Sequence, residues 1–164
     1  FTSHKALQNA VIALKDLPYP LFIQGQSPKQ VLLNQFRVED NAILLGTQSF
    51  WEGVDVQGEA LSCVIIDKLP FSVPNDPIHL SQIKALQEAG ENAFSHYHLP
   101  RAVITLKQGA GRLIRDQSDR GVLVVCDVRL ITRGYRTAFI KSLPPFKRTR
   151  QLSDVQNFFS DVLA

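Results

Sequence analysis

The residues best suited to chemistry lie in the stretch Arg101–Asp116, RAVITLKQGAGRLIRD. Wound at about 100° per residue, it places Arg101, Thr105, Gln108, Arg112 and Arg115 within roughly 80° of one another. Ala102, Val103, Leu106, Ala110, Leu113 and Ile114 fall on the opposite side, and Ile104 lies close to the polar stripe. The pattern predicts one helix with a buried back and a front carrying guanidinium groups at i and i+3. Gly109 and Gly111 each cost about 1 kcal/mol of helix propensity relative to alanine, a cost often met where a backbone or ligand approaches closely. Two arginines beside a missing side chain suit a phosphate. Alone, the same pattern also describes a surface helix with solvated arginines. A dinucleotide fingerprint is excluded, because its third glycine would stand where Ile114 does.

A second set lies in the loop TQSFWEGVDVQG, residues 47–58. It combines hydroxyls (Thr47, Ser49), an amide (Gln48), an aromatic pair expected to be exposed (Phe50, Trp51) and two carboxylates (Glu52, Asp55) around Gly53. The hydroxyls suit phosphates and an exposed ring suits stacking on a base. With no histidine nearby, the carboxylates suit hydrogen bonding to a ribose or an arginine. His4, His79, His96 and His98 are scattered, without metal-ligand spacing. No Gly-Lys-Ser/Thr phosphate loop occurs. A nucleoside triphosphate handled by this chain would have its phosphates held elsewhere.

The charge supports a polyanionic partner. Residues 101–150 hold 12 Lys or Arg against 3 Asp or Glu, within a chain whose net charge is only +3. The length of 164 residues predicts one domain. No apolar run has the length of a membrane span, and no signal peptide opens the chain. Cys63 and Cys126 each lie in an apolar run, which predicts buried structural thiols and fits a reducing cytoplasm. The chain lacks methionine altogether, and we expect it to be a piece of a longer protein.

Positioning these groups falls to short apolar strands alternating with amphipathic helices. Ser3 is placed to cap a helix through about Leu17. Leu21–Gln24 and Ala42–Gly46 read as strands, with a helix between them that turns Val31, Leu32, Leu33 and Phe36 inward. Ser62–Asp67 and Gly121–Asp127 read as strands buried on both faces. Helices are expected from about Pro77 to Ala89, from roughly Ile131 to Ser142, and after Ser153 as its cap, with Val155, Phe158, Phe159, Val162 and Leu163 in one stripe. The class is α/β, a parallel sheet covered on both faces, with ligands expected at the carboxyl ends of its strands.

FTS at the start, SFWEGVDVQG, VIIDKLPFSVPNDP and QGAGRLIRD, in that order, closely resemble the second RecA-like motor domain of XPD/DinG-type superfamily 2 DNA helicases, and most of all the bacterial DinG-related branch that includes YoaA. The likeness covers essentially the whole chain, residues 1–164. It implies a RecA-like three-layer domain with a mainly parallel sheet, and ATP-driven 5′→3′ unwinding by two motor domains closing on one nucleotide. The first domain, absent from this sequence, would carry the phosphate loop, the Mg²⁺-binding carboxylates and an iron–sulfur cluster. On this resemblance Arg112 and Arg115 reach the γ-phosphate, and Gln108 shares their motif. Glu52, Gly53 and Asp55 link the nucleotide to the strand-binding surface. Ser3, Thr47, Ser49 and Trp51 fall where the family touches DNA, as do Lys68 and Phe71. The implied partners are the first motor domain and single-stranded or forked DNA, with protein recruiters unspecified. The chain alone is expected to lack ATPase activity.

Overall fold

The structure is a computed structural model that describes residues 1–51, 61–71, 76–114 and 119–163, with backbone alone for Ser49, Trp51, Val162 and Leu163. Helix α1, His4–Leu14, begins where the Ser3 hydroxyl accepts from the Ala6 amide (3.2 Å), satisfying one of the donors that a helix start leaves unpaired. Strand β1, Leu21–Ile23, ends in a turn at Gly25, whose φ of 97° favours a residue without a Cβ. Helix α2, Lys29–Val38, and strand β2, Ile43–Leu45, follow.

β1 and β2 pair in parallel, Leu21 against Ile43 through Ile23 against Leu45. Their side chains sort with the period of two that a pleated strand imposes. Leu21, Ile23, Ile43 and Leu45 pack with Leu7, Val11 and Leu14 of α1. Phe22 and Leu44 pack with Leu32, Leu33 and Phe36 of α2. Helix, sheet and helix therefore form three layers here. Val31, expected to face inward, is exposed instead, because three inward positions on a ten-residue helix already fill the available face.

Beyond β2 come the short helix α3, Gln48–Trp51, strand β3, Cys63–Ile66, and helix α4, Pro77–Glu88, capped by Asp76. A π-helical turn, Phe94–His98, leads into α5, Leu99–Ala110. Strand β4, Val122–Val125, and helices α6, Arg129–Thr132, α7, Arg136–Ser142, and α8, Leu152–Leu163, complete the chain. The helix expected over 131–142 is thus two pieces, parted around Gly134, and Ser153 lies inside α8 rather than at its cap.

β3 and β4 form a second parallel pair, Cys63 against Val122 through Ile66 against Val125. Val64, Ile66, Leu123 and Val125 pack on Ala102 and Leu106 of α5 and on Phe139 of α7. On the opposite face Ile65 is 66% exposed, while Cys63, Val122 and Val124 are half-buried. The expectation of strands buried on both faces is corrected there. A continuous apolar run tells how much of a strand is greasy, not which neighbour covers it. Phe1 and Thr2 tie the two pairs together. The Phe1 nitrogen donates to the Gly46 carbonyl (2.7 Å), the Gln48 amide donates to the Phe1 carbonyl (3.0 Å), and the Thr2 amide donates to Asp67 Oδ1 (3.1 Å).

Candidate functional site

The arginine helix keeps its buried back. Ala102, Leu106, Ala110 and Leu113 are all buried, while Gln108 is exposed and Ile104 points outward as its angle requires. Its length is corrected: regular helix stops at Ala110, with Gly111 as its C-cap. Tight turns then carry the chain on, Arg112 N donating to the Gly109 carbonyl (3.2 Å) and Leu113 N to that of Ala110 (3.0 Å). Gly111 ends the helix, while Gly109 stays within its last turn.

Arg112 is half-buried on this turn, and among the described residues no carboxylate pairs with it. Arg101, on the same stripe, differs. Its guanidinium lies over the Tyr97 ring (5.2 Å) and 3.2 Å from His79 Nε2, so neighbours already engage it. Arg115 lies outside the described residues, as do Glu52, Gly53 and Asp55.

Leu113 anchors the turn. A Cβ added at Gly121 would stand 2.4 Å from Leu113 Cδ1 and 3.0 Å from the Ser62 carbonyl oxygen. Leu113 therefore sits against the entry of β3 and β4, beside Ser62.

Residues expected at nucleic acid gather at the other end of these strands, about 13 Å away along four residues of strand. Ser3 caps α1 beside Thr2, whose amide reaches Asp67. Lys68 is exposed between Asp67 and Leu69, and Phe71 follows within the same turn. Thr47 is buried, its amide and hydroxyl directed to Gln24 Oε1 (2.6 and 3.0 Å). Ser49 and Trp51 have their backbones in α3, and their side chains lie outside the described part. Phe50, expected as half of an exposed aromatic pair, is only 6% exposed and packs with Leu32, Leu33 and Phe36 beneath Lys29.

One arrangement the sequence reading missed stands at the exit of β4. Asp127 is 7% exposed, and its carboxylate accepts from the amides of Leu69 (2.8 Å) and Arg129 (2.9 Å). Arg129 also grips it side-on, through Nε (3.0 Å to each oxygen) and Nη2 (2.6 Å). The same guanidinium lies 5.1 Å over the Phe71 ring. An Asp at a strand's end with Arg two residues on is a recognisable turn signal, but nothing in the sequence announces Leu69 as the third partner.

The hydrogen bonds from Arg129 hold the Asp127 carboxyl at about 2, below its ordinary value of 3.8. A depressed carboxylate stabilises the fold above its unfolded value, and that contribution fades as the pH falls through the folded one. Between pH 5 and pH 2 the protein should lose about 2 kcal/mol from this group. Urea unfolding across that range checks it, with Asp127→Asn expected to lose correspondingly less on acidification.

Cys126 is exposed and Cys63 half-buried, which corrects the expectation of two buried thiols. Burial still pushes the Cys63 thiol upward, away from the reactive thiolate. Among the described residues no three His, Cys, Asp or Glu side chains converge on a metal position. No helix among them is long and apolar enough to cross a membrane.

Comparison with known proteins places this geometry in context. Residues 1–146 match the family described as the helicase C-terminal domain. The chain is similar to the ATP-dependent DNA helicase YoaA of Escherichia coli (strain K12), 48% identical over 160 residues, covering 97% of this chain and 25% of that protein. It is also similar to the ATP-dependent helicase DinG of Mycobacterium tuberculosis (strain ATCC 25618 / H37Rv), 38% identical over 157 residues, 95% of this chain and 24% of that protein. The 3'-5' exonuclease DinG of Bacillus subtilis (strain 168) is 40% identical over 151 residues, 88% of this chain and 16% of that protein. The chain spans a quarter or less of the length of these curated relatives.

Proposed function

The chain belongs to the helicase C-terminal domain family, and on that premise we propose that it is the second RecA-like motor domain, residues 1–164, of an ATP-dependent 5′→3′ DNA helicase. A first motor domain of the same longer protein holds ATP and Mg²⁺ and carries the iron–sulfur cluster. This chain brings Arg112 and Arg115 to the γ-phosphate when the two domains close, with Gln108 beside them. Glu52, Gly53 and Asp55 connect that interface to the strand track. Ser3, Ser49, Trp51 and Lys68 lie along a single strand of DNA, and Thr47, buried against Gln24, and Phe71, under Arg129, shape that track from beneath. The protein works in the cytoplasm.

The observation that carries this reading is the state of Arg112. An arginine half-buried on a turn whose next residue is locked into the core, with no carboxylate paired to it among the described residues, is available to an anion supplied from outside. Phosphoryl transfer depends chiefly on such positioning and charge stabilisation, and an arginine delivered by a second body is worth about 10³ to 10⁵ in turnover. Because the arginine must arrive and leave, hydrolysis is coupled to domain closure. A basic surface that grips phosphates without reading bases lets each closure shift the strand.

The test is unwinding by the full-length protein. A forked duplex with a 5′ single-stranded tail should open only with hydrolysable ATP and Mg²⁺, and a duplex with a 3′ tail should not. This chain alone should hydrolyse no ATP, and Arg112-dependent turnover by it would contradict the two-body arrangement. The alternative is a non-catalytic single-strand-binding or scaffold module that keeps the motor fold without ATP coupling. Retained single-strand binding without ATP turnover by the full-length protein decides for it.

A further inference from the structure

We propose that Asp127 and Arg129 form a positioning latch that holds the Lys68–Phe71 segment in its DNA-gripping shape, a role that rests on the motor-domain reading above. Lys68 is exposed at the exit of β3, and the chain is pinned on either side of it. Upstream, the Asp67 carboxylate accepts from the Thr2 amide at 3.1 Å. Downstream, the Leu69 amide is buried and donates to Asp127 Oδ2 at 2.8 Å. Asp127 comes from the end of β4, fifty-eight residues later in the chain.

Arg129 closes the arrangement. It binds both carboxylate oxygens of Asp127 and covers the face of Phe71. Among the described residues Phe94, Tyr135 and Phe139 make ring contacts with Phe71. The segment is therefore fixed at Leu69 by a charge-assisted hydrogen bond and at Phe71 by a guanidinium lid, both drawn from the β4 exit. A buried carboxylate satisfied on both oxygens is rigid, because breaking any one bond leaves a desolvated charge. Leu113, next to Arg112, packs against Gly121 at the entry of β4, so the latch and the Arg112 turn stand at opposite ends of that strand.

Arg129 and Asp127 act here through Lys68 and Phe71, not on DNA themselves, and the experiment separates the two possibilities. In the full-length protein, Asp127→Asn keeps an acceptor for the Leu69 amide but weakens the grip of Arg129, and Arg129→Gln removes that grip. Affinity for a fluorescein-labelled oligo-dT strand is measured across salt concentrations, together with ATP turnover in the absence and presence of that strand. Each variant should weaken strand binding about tenfold, lower DNA-stimulated turnover far more than DNA-free turnover, and leave the salt dependence unchanged. The double variant should be scarcely weaker than either single one, as expected for two parts of one device.

Loss of about 0.7 from the salt slope in Arg129→Gln, with Asp127→Asn normal, would make Arg129 a phosphate contact and overturn the latch. Parallel loss of strand binding, DNA-free turnover and melting temperature would reduce the pair to a structural role and overturn it too. Unchanged binding in both variants has the same consequence. A parent protein that neither binds the strand nor hydrolyses ATP would instead overturn the motor-domain reading on which the latch rests.

Discussion

Arg112→Ala in the full-length protein should lower ATP turnover by about 10³-fold or more while weakening single-strand binding less than threefold. The asymmetry follows from where the residue sits. Its turn lies at the entry of β3 and β4, whereas Ser3, Lys68 and Phe71 gather at their exit. Arg112→Lys should recover little, because a point ammonium does not reproduce a planar fork on a phosphate. Steady-state turnover with and without oligo-dT, read beside strand affinity, checks the prediction. Equal losses in both would place Arg112 on the DNA track or in the fold.

The second large effect is on stability and concerns Gly121. A methyl group there overlaps Leu113 at 2.4 Å and meets the Ser62 carbonyl at 3.0 Å. That carbonyl is fixed, since it accepts the Val122 amide at 3.0 Å in the ladder. Only the buried Leu113 can yield. Gly121→Ala should therefore destabilise the protein by about 1–3 kcal/mol, and Gly121→Val by more. Leu113→Ala alone opens a cavity and should cost about 2–5 kcal/mol. Combined, Gly121→Ala and Leu113→Ala should cost at least about 1 kcal/mol less than their sum, because the new methyl enters the space the leucine leaves. Urea unfolding of the four proteins measures it, and strict additivity would contradict the contact. Since Leu113 follows Arg112, Gly121→Ala should also depress turnover beyond what its stability loss explains.

The back of the arginine helix was legible because burial of Ala102, Leu106, Ala110 and Leu113 follows from angle alone. Its end was not. Gly109 and Gly111 carry a cost inside a helix, and the same glycines suit its termination; periodicity does not choose between the two. Strands β1 and β2 were legible within a residue or two because turn residues bound them. Ile65 was misjudged because alternation is invisible in a run where every residue is apolar. Phe50 was misjudged for a related reason: a loop-like sequence hides the single helical turn that drives its ring beneath Lys29.

The Asp127 arrangement divides the same way. Its bond to Arg129 is local and leaves a trace in sequence, while its bond to Leu69 exists only because two parallel strands end side by side. Contacts made by chain neighbours can be read from spacing. Those made by strand exits need the register, here Ile66 against Val125.

The most direct measurement is a structure of the full-length protein bound to single-stranded DNA and ADP with a planar aluminium fluoride in place of the transferred phosphoryl group. The account predicts the Arg112 guanidinium within hydrogen-bonding distance of the fluoride, the nucleotide held by the first motor domain, and DNA running past Lys68. A closed complex in which Arg112 instead pairs with a carboxylate of its own domain, away from the fluoride, would contradict it.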